Sequence, residues 1–218
     1  MSRVVVAGGH GAIAMHLQGM LVDAGHEAVG IIRNADHVAD LVDVGSSPVV
    51  LDLESISADQ LAIELRGADV VVFAAGAGAG SSAERKQTVD RDGAILLADA
   101  AELAGVPRYL LVSSMGADRF DPASDDIFQV YLRAKAEADA DIRARAIDWT
   151  IVRPGGLTDD AGTGLVHVEA DGPRGSIPRE DVARVLLAII ESGAASRRQF
   201  TVTSGPDPRP VPEALAAL

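Results

Sequence analysis

Cysteine is absent from the 218 residues, which excludes a disulfide framework, a thiolate nucleophile and a zinc–thiolate site. Positive charge is scarce: the formal net charge is −13, and with no basic patch the phosphates of a nucleic acid would be repelled. The same acidity also serves solubility. No apolar run approaches membrane-spanning length, and a strand begins by Val4, which leaves no room for a signal peptide. A cytoplasmic protein with no nucleic-acid or membrane partner, monomeric or homodimeric, is expected. No Gly-Lys-Ser/Thr closes the glycine-rich run near the start, so a Walker-type loop is excluded. The five histidines show no metal-ligand spacing with carboxylates, and no metal is expected.

What is present is core-forming material. Apolar residues make up 48% of the chain, enough for one sizeable α/β domain and short for two. The apolar run Val4–Ala7 predicts a strand buried on both faces. Gly8, Gly9 and Gly11 follow at once, and Ile13, Leu17, Met20 and Leu21 then recur at helical spacing. A strand, a glycine turn and a helix open a βαβ unit whose helix N-terminus faces a bound anion. The free N–H groups of His10, Ala12 and Ile13 and the positive end of the helix dipole favour a phosphate there. The spacing reads as Gly8-x-x-Gly11-x-x-Ala14 or as Gly9-x-Gly11-x-x-Ala14. In both readings Ala14 holds the third small position, where helix and strand pack closely. A bare glycine turn is the alternative.

Strands then alternate with helices: Glu27–Arg33, Pro48–Asp52, Ala68–Ala75, Pro107–Ser114 and Trp149–Arg153 as strands, with helices over Ala12–Leu21, Ala35–Val44, Ala58–Leu65, Ser82–Ala104 and Asp125–Ala146. The tail adds a short strand at Leu165–Val168, a helix at Arg179–Ser192 and a last strand at Gln199–Thr203. This order predicts a Rossmann-type, doubly wound parallel sheet in a single domain over residues 1–218, with right-handed crossovers. Residues 155–218 would supply a short substrate-side extension.

Ligands in such sheets bind beyond the carboxyl ends of the strands, so the residues just after each strand carry the functional reading. Arg33 and Asn34 close the second strand. A guanidinium fork matches a phosphate and is poorly matched to a neutral ribose, which favours NADP, with NAD as the alternative. A solvated strand-end arginine is the plainer reading. Asp52, with Leu53, is placed to accept from an adenine amino group or simply to form a turn. Ala74, Ala75 and Gly76 would let a cofactor lie flat against the backbone, and they lead into the run Gly76–Gly80. Ser113 and Ser114 end the fifth strand. Tyr131 and Lys135 stand at i and i+4 on one helix face, in a chain with only two tyrosines and two lysines. An ammonium beside a phenol stabilises the phenolate, as a general acid/base requires; an ordinary amphipathic helix face is the alternative. His10 could touch a phosphate or stand exposed. Asp159, Asp160, Gly162 and Gly164 could form a mobile flap or a plain polar loop.

VAGGHGAIA, TVDRDGAILLADAAELAGVPRYLLVSS, the YLRAK box and DWTIVRPGGLTDDAGTG together resemble the short-chain dehydrogenase/reductase superfamily over nearly the whole chain. More narrowly they resemble its atypical branch of single-domain NAD(P)-binding proteins, often labelled NAD-dependent epimerase/dehydratase. The resemblance implies Tyr131 as acid/base, Lys135 on the nicotinamide ribose, Ser114 rather than Ser113 orienting a small-molecule substrate, and Pro154, Gly155, Gly156 and Leu157 beside the nicotinamide. Extended members have an asparagine where this chain has Asp90, which bears on any proton relay. They also add a sizeable C-terminal domain, whereas only about sixty residues follow Pro154 here. Three functions are therefore expected in descending order: reduction of a small carbonyl, quinone or flavin with NADPH, or the reverse oxidation of an alcohol; non-catalytic NADP sensing resembling the NmrA-like proteins; and nucleotide-sugar epimerisation or dehydration.

Overall fold

A computed structural model describes residues 1–78 and 80–218; Ala79, inside the Gly76–Gly80 run, lies outside the described residues. The elements run β1 (Arg3–Ala7), α1 (Ala12–Asp23), β2 (Glu27–Ile32), α2 (Val38–Asp43), β3 (Ser47–Val50), α3 (Ala58–Glu64), β4 (Val70–Phe73), α4 (Ala83–Arg85) and α5 (Gly93–Ala104). Then come β5 (Arg108–Val112), α6 (Ile127–Ala144), β6 (Asp148–Pro154), β7 (Gly156–Thr158), β8 (Leu165–Glu169), β9 (Ser176–Pro178), α7 (Arg179–Ser192), β10 (Arg198–Thr203), β11 (Arg209–Pro210) and α8 (Val211–Ala216).

The main sheet has the order β11-β8-β10-β6-β5-β4-β1-β2-β3. The strands from β3 through β10 are parallel to one another, and β8 and β11 join that edge antiparallel. β1 is the strand at which the order reverses, which places a ligand crevice beyond its carboxyl end. The expected parallel Rossmann-type sheet is thus present, extended by an antiparallel edge. β7 and β9, short strands that the apolar patterning does not announce, form a separate parallel ribbon.

Helices cover both faces, so the central strands are apolar throughout rather than alternating. On one face Leu17 and Leu21 of α1, Leu186 and Ile189 of α7 and Leu215 of α8 pack on Val4, Val6 and Phe200. On the other, Leu61, Leu97 and Ile142 pack on Val5, Phe73, Tyr109 and Ile151. Tyr109, the chain's second tyrosine, is fully buried and donates its hydroxyl to Ala94 O at 2.8 Å. Its role is structural, and burial pushes its phenol well up. α5 ends on Gly105 in the left-handed conformation expected there.

The expected single helix over Ser82–Ala104 contains a π-helical stretch, Lys86–Asp92, between α4 and α5. Such widened turns shift the facing of side chains out of the 3.6-residue period. Lys86 and Asp90 both turn inward and are buried.

The glycine turn is held from behind by Gln18, a buried polar residue of α1. Its Nε2 donates to Gly9 O at 2.6 Å and its Oε1 accepts from Ser46 Oγ at 2.6 Å. A Cβ at Gly30 would stand 2.3 Å from that Oε1, so a side chain on β2 would displace the latch. Replacing Gln18 with leucine removes the side-chain donor to Gly9 O and leaves the Ser46 hydroxyl with only Ala28 O as acceptor. Gln18→Leu should lower stability by about 1–3 kcal/mol in urea unfolding.

Candidate active site

The glycine turn is shaped first by packing. Gly8 has φ +82°, and a Cβ there would lie 2.5 Å from Ala75 Cα; one on Gly9 would lie 2.8 Å from Gly30 Cα. The strand ends on either side therefore exclude larger residues at both positions. Gly11 caps α1 without any side-chain bond, and no acidic residue occupies the first helical turn. The positive end of the helix, with Ala12 and Ile13, is left open to an anion.

Three adjoining hollows run across the carboxyl ends of the strands. The first, about 310 Å³, is lined by Gly8, His10, Gly11, Arg33, Asn34, Asp52, Leu53 and Ala74–Gly76 among others. The second, about 450 Å³, shares Ala74, Ala75 and Gly76 with it and adds Ile13, Lys86, Asp90, Ser113, Tyr131, Lys135 and Leu157. The third, about 420 Å³, shares Ser113, Phe128, Tyr131 and Leu157 with the second and adds Ser114 and Pro154–Gly156. The three hollows share lining residues and together, as one trough, gather the sequence-predicted site residues except Gly9 and Ala12, which line none of them.

Their side chains do not all face the trough freely. Asn34 Oδ1 accepts from Asp36 N at 3.1 Å, and Asp52 Oδ1 accepts from Glu54 N at 3.0 Å. Both are engaged in their own turns, as the plainer reading of Asp52 anticipates. A Cβ on Gly155 would meet Gly175 O at 2.3 Å, so that glycine serves packing against the β9 approach. His10 is neither a bare phosphate contact nor a loose exposed residue. Its Nε2 lies 2.7 Å from Asp40 Oδ2, and its ring stacks on His37 at 3.6 Å. The loop Asp159–Gly164 is fastened to the first turn of α7: Gly162 N donates to Glu180, and Thr163 N and Gly164 N donate to Asp181.

Arg33 is joined in the first hollow by Arg85, which sequence reasoning missed. Glu54 bridges them, 3.3 Å from Arg33 Nη1 and 2.7 Å from Arg85 Nη2, and accepts from Thr88 Oγ1 at 2.6 Å. The hydrogen bonds from Arg85 and Thr88 hold the Glu54 carboxyl below the usual carboxylate range.

Tyr131 sits on the wall common to the second and third hollows, and both lysines of the chain converge on it. Lys86 Nζ lies 5.3 Å and Lys135 Nζ 5.9 Å from its ring centre. Lys135 is buried, 3.3 Å from Asp90 Oδ1 and donating to Val112 O. Burial works against its ammonium, but the negative charge of Asp90, and of Tyr131 when it is a phenolate, outweighs burial and raises the Lys135 pKa. Asp90 Oδ2 accepts from Ala77 N at 3.1 Å. Lys86 donates to Gly78 O at 2.8 Å. Ser114 lines the third hollow together with Tyr131, and its hydroxyl makes only a long 3.4 Å contact, to Met115 O, among the described residues.

Ser113, by contrast, is committed. Its hydroxyl donates to Asp139 Oδ2 at 2.9 Å, and Arg153 donates to the same oxygen through Nε at 2.8 Å and Nη2 at 2.6 Å. Asp139 is fully buried, and burial raises its pKa against the pull of Arg153. Tyr131, Lys135 and Asp139 form one i, i+4, i+8 stripe along α6, a signal in the sequence that could have revealed Asp139.

The trough fits an extended dinucleotide: a glycine cradle that any Cβ would fill, an uncapped helix start, small residues at its waist, and a cationic pair at one end. A depressed carboxylate such as Glu54 stabilises the fold above its unfolded pKa, and this contribution is lost as pH falls through its folded value. Wild type should therefore be more stable than Glu54→Gln at pH 7, and urea titrations should show the gap closing below about pH 4.

Known proteins resemble the chain in sequence and in structure. The family described as NAD(P)H-binding matches residues 8–193. The uncharacterized sugar epimerase YhfK of Bacillus subtilis (strain 168) is 32% identical over 217 residues, covering 99% of this chain and 100% of that one. A solved Bacillus halodurans structure, described as a candidate NAD-dependent epimerase/dehydratase, superposes with a TM-score of 0.89 at 32% identity over 100% of both chains. ChuY, described as an anaerobillin reductase from Escherichia coli O157:H7, shares the fold with a TM-score of 0.78 at 23% identity, over 96% of this chain and 100% of that one.

Proposed function

Because the chain belongs to the NAD(P)H-binding family, within the atypical short-chain dehydrogenase/reductase-like proteins, we propose that it is an NADP-dependent oxidoreductase acting on a small carbonyl or alcohol. The observation that carries this reading is Tyr131, with two ammonium groups 5.3 and 5.9 Å from its ring centre, on the wall shared by two hollows. A nicotinamide cofactor, when bound, supplies or takes up hydride. Gly8, Gly9, His10, Gly11, Ala12 and Ile13 would hold its pyrophosphate. Arg33 and Arg85 would hold the 2′-phosphate that distinguishes NADP, since paired guanidinium forks suit phosphate better than a ribose hydroxyl. Ala74, Ala75 and Gly76 leave room at the waist, and Lys135 with Leu157 borders the nicotinamide end.

Reduction of C=O to CH–OH consumes one hydride at carbon and one proton at oxygen. Tyr131 Oη gives that proton, and the neighbouring ammonium groups of Lys135 and Lys86 stabilise the phenolate left behind. Ser114 Oγ, with no strong partner of its own, orients the substrate oxygen. Asp90 fixes the Lys135 ammonium from behind and acts as a positioning residue. Asp139 and Arg153 hold Ser113, and with it the strand end that carries Ser114.

The Asp90–Lys135 pair also favours a second reading, a sensor that binds NADPH without turnover, because Asp90 and Val112 O together engage two of the ammonium's three donors. Nucleotide-sugar epimerisation has less support, since the residues beyond Pro154 form the small β7–β9 ribbon and the sheet edge rather than a sugar-binding lobe. Tyr131→Phe separates these readings. It should lower kcat by about 100-fold or more while calorimetry shows NADPH affinity retained; unchanged turnover would contradict the assigned proton donor.

A further inference from the structure

The third hollow carries a charge pattern unlike the rest of the molecule. The chain has a net charge of −13, yet no aspartate or glutamate lines this hollow, while Arg174 and Arg179 do. Arg179 is held on one side, its Nη1 2.6 Å from Asp159 Oδ1. Arg174 forms no ion pair among the described residues and is exposed. The backbone around it is nonetheless fixed: Gly172 N donates to Thr201 Oγ1 at 2.8 Å, and Gly175 O accepts from Gly156 N at 2.8 Å. Arg174 is thus an exposed residue on an anchored turn that lines the hollow, with no ion-pair partner among the described residues.

The same hollow also presents apolar surface, from Phe128 on α6 and from Leu157 on the β7–β9 ribbon that Arg174 leads into. Phe128 is 56% exposed and Leu157 39% exposed, both large enough to favour a cover. The Phe128 and Tyr131 rings lie 5.9 Å apart at an interplanar angle of 30°, which offers a flat surface next to the phenol. A ligand that satisfies both the apolar surface and the guanidinium has a planar apolar body and an anionic end.

We propose that the substrate is an aromatic or conjugated carbonyl compound bearing a carboxylate, with Arg174 as the carboxylate anchor. The inference rests on the oxidoreductase reading and adds the substrate class to it. With the carboxylate on Arg174 and the flat body against Phe128 and Leu157, the reacting carbonyl lies towards Ser114 and Tyr131. Arg174 thereby selects anionic over neutral carbonyls, and Arg179, already paired, contributes a weaker field to the same end.

The test uses two aldehydes of similar shape, 4-formylbenzoate and neutral 4-isopropylbenzaldehyde, with NADPH and the whole chain. The ratio of their kcat/KM values should favour 4-formylbenzoate by about tenfold or more, the size expected for one charge-assisted contact. Arg174→Ala should collapse that ratio towards one, chiefly through KM for the anion, and Arg174→Lys should restore it in part. Arg66→Ala, which removes an equal charge at a remote exposed position, should leave the ratio intact. Equal kcat/KM values in wild type, or a ratio insensitive to Arg174→Ala, would overturn the anchor while leaving the oxidoreductase reading standing. Should neither aldehyde turn over, calorimetry of 4-formylbenzoate on the NADP-loaded protein decides. Binding weakened by Arg174→Ala upholds the anchor and contradicts the redox reading; no binding overturns the anchor as well.

Discussion

A buried ammonium must be paired or abandoned, and the Lys135 side chain, 3% exposed, is the constraint to which the centre of this molecule answers. Asp90 pairs with it, and to reach it the chain between α4 and α5 widens into a π-helical stretch. The same carboxylate accepts from Ala77 N and so ties down the start of the glycine–alanine run after β4. The carbonyl of Val112 takes a further lysine proton and seats α6 on the end of β5. One helical turn away, on the same face, Tyr131 is carried into the trough, and one turn the other way Asp139 holds Ser113 and Arg153. Removing the pair would release the contacts that tie the π stretch, the start of the glycine–alanine run, α6 and the end of β5 to one another.

The glycine turn obeys a second, steric constraint. Three strand ends approach so closely that Gly8 and Gly9 have no space for a β-carbon, and the vacated surface is what an anion at the start of α1 would use. Packing and ligand access ask for the same residues. Gln18 makes this durable, since its amide spans the turn and the β2–β3 side of the sheet through Ser46.

Much of this was legible in the amino-acid sequence. The apolar runs at Val4–Ala7, Val70–Phe73 and Arg108–Val112 announce strands covered on both faces, and the alternation with helices dictates a doubly wound sheet. The glycine run and the Tyr131–Lys135 spacing are local patterns, and the fold brings them together without altering them. What escaped is non-local or out of period. Lys86 escaped notice because its burial and its approach to the Tyr131 ring come from packing of the π stretch against α6, a contact between elements far apart in sequence. Glu54 and Arg85 meet only across two loops, so Arg33 read alone gave half of the cationic end. Asn34 and Asp52 look like ligand contacts by position, yet their short side chains reach their own backbone first. The β7–β9 ribbon is too short for any periodicity to mark, although it brings Arg174 to the third hollow.

The proposed function puts acid/base chemistry at Tyr131, at one end of the trough, and phosphate discrimination at Arg33 and Arg85, at the other. A single measurement tests both: steady-state oxidation of NADPH, and of NADH in parallel, over a panel of quinones, flavins, aldehydes and ketones. Turnover of at least one class, faster with NADPH than with NADH at equal low concentration, is the expected result. Saturable NADPH binding with no oxidation across the panel would contradict the catalytic role given to Tyr131 and leave the trough as a sensor of the cofactor's redox state.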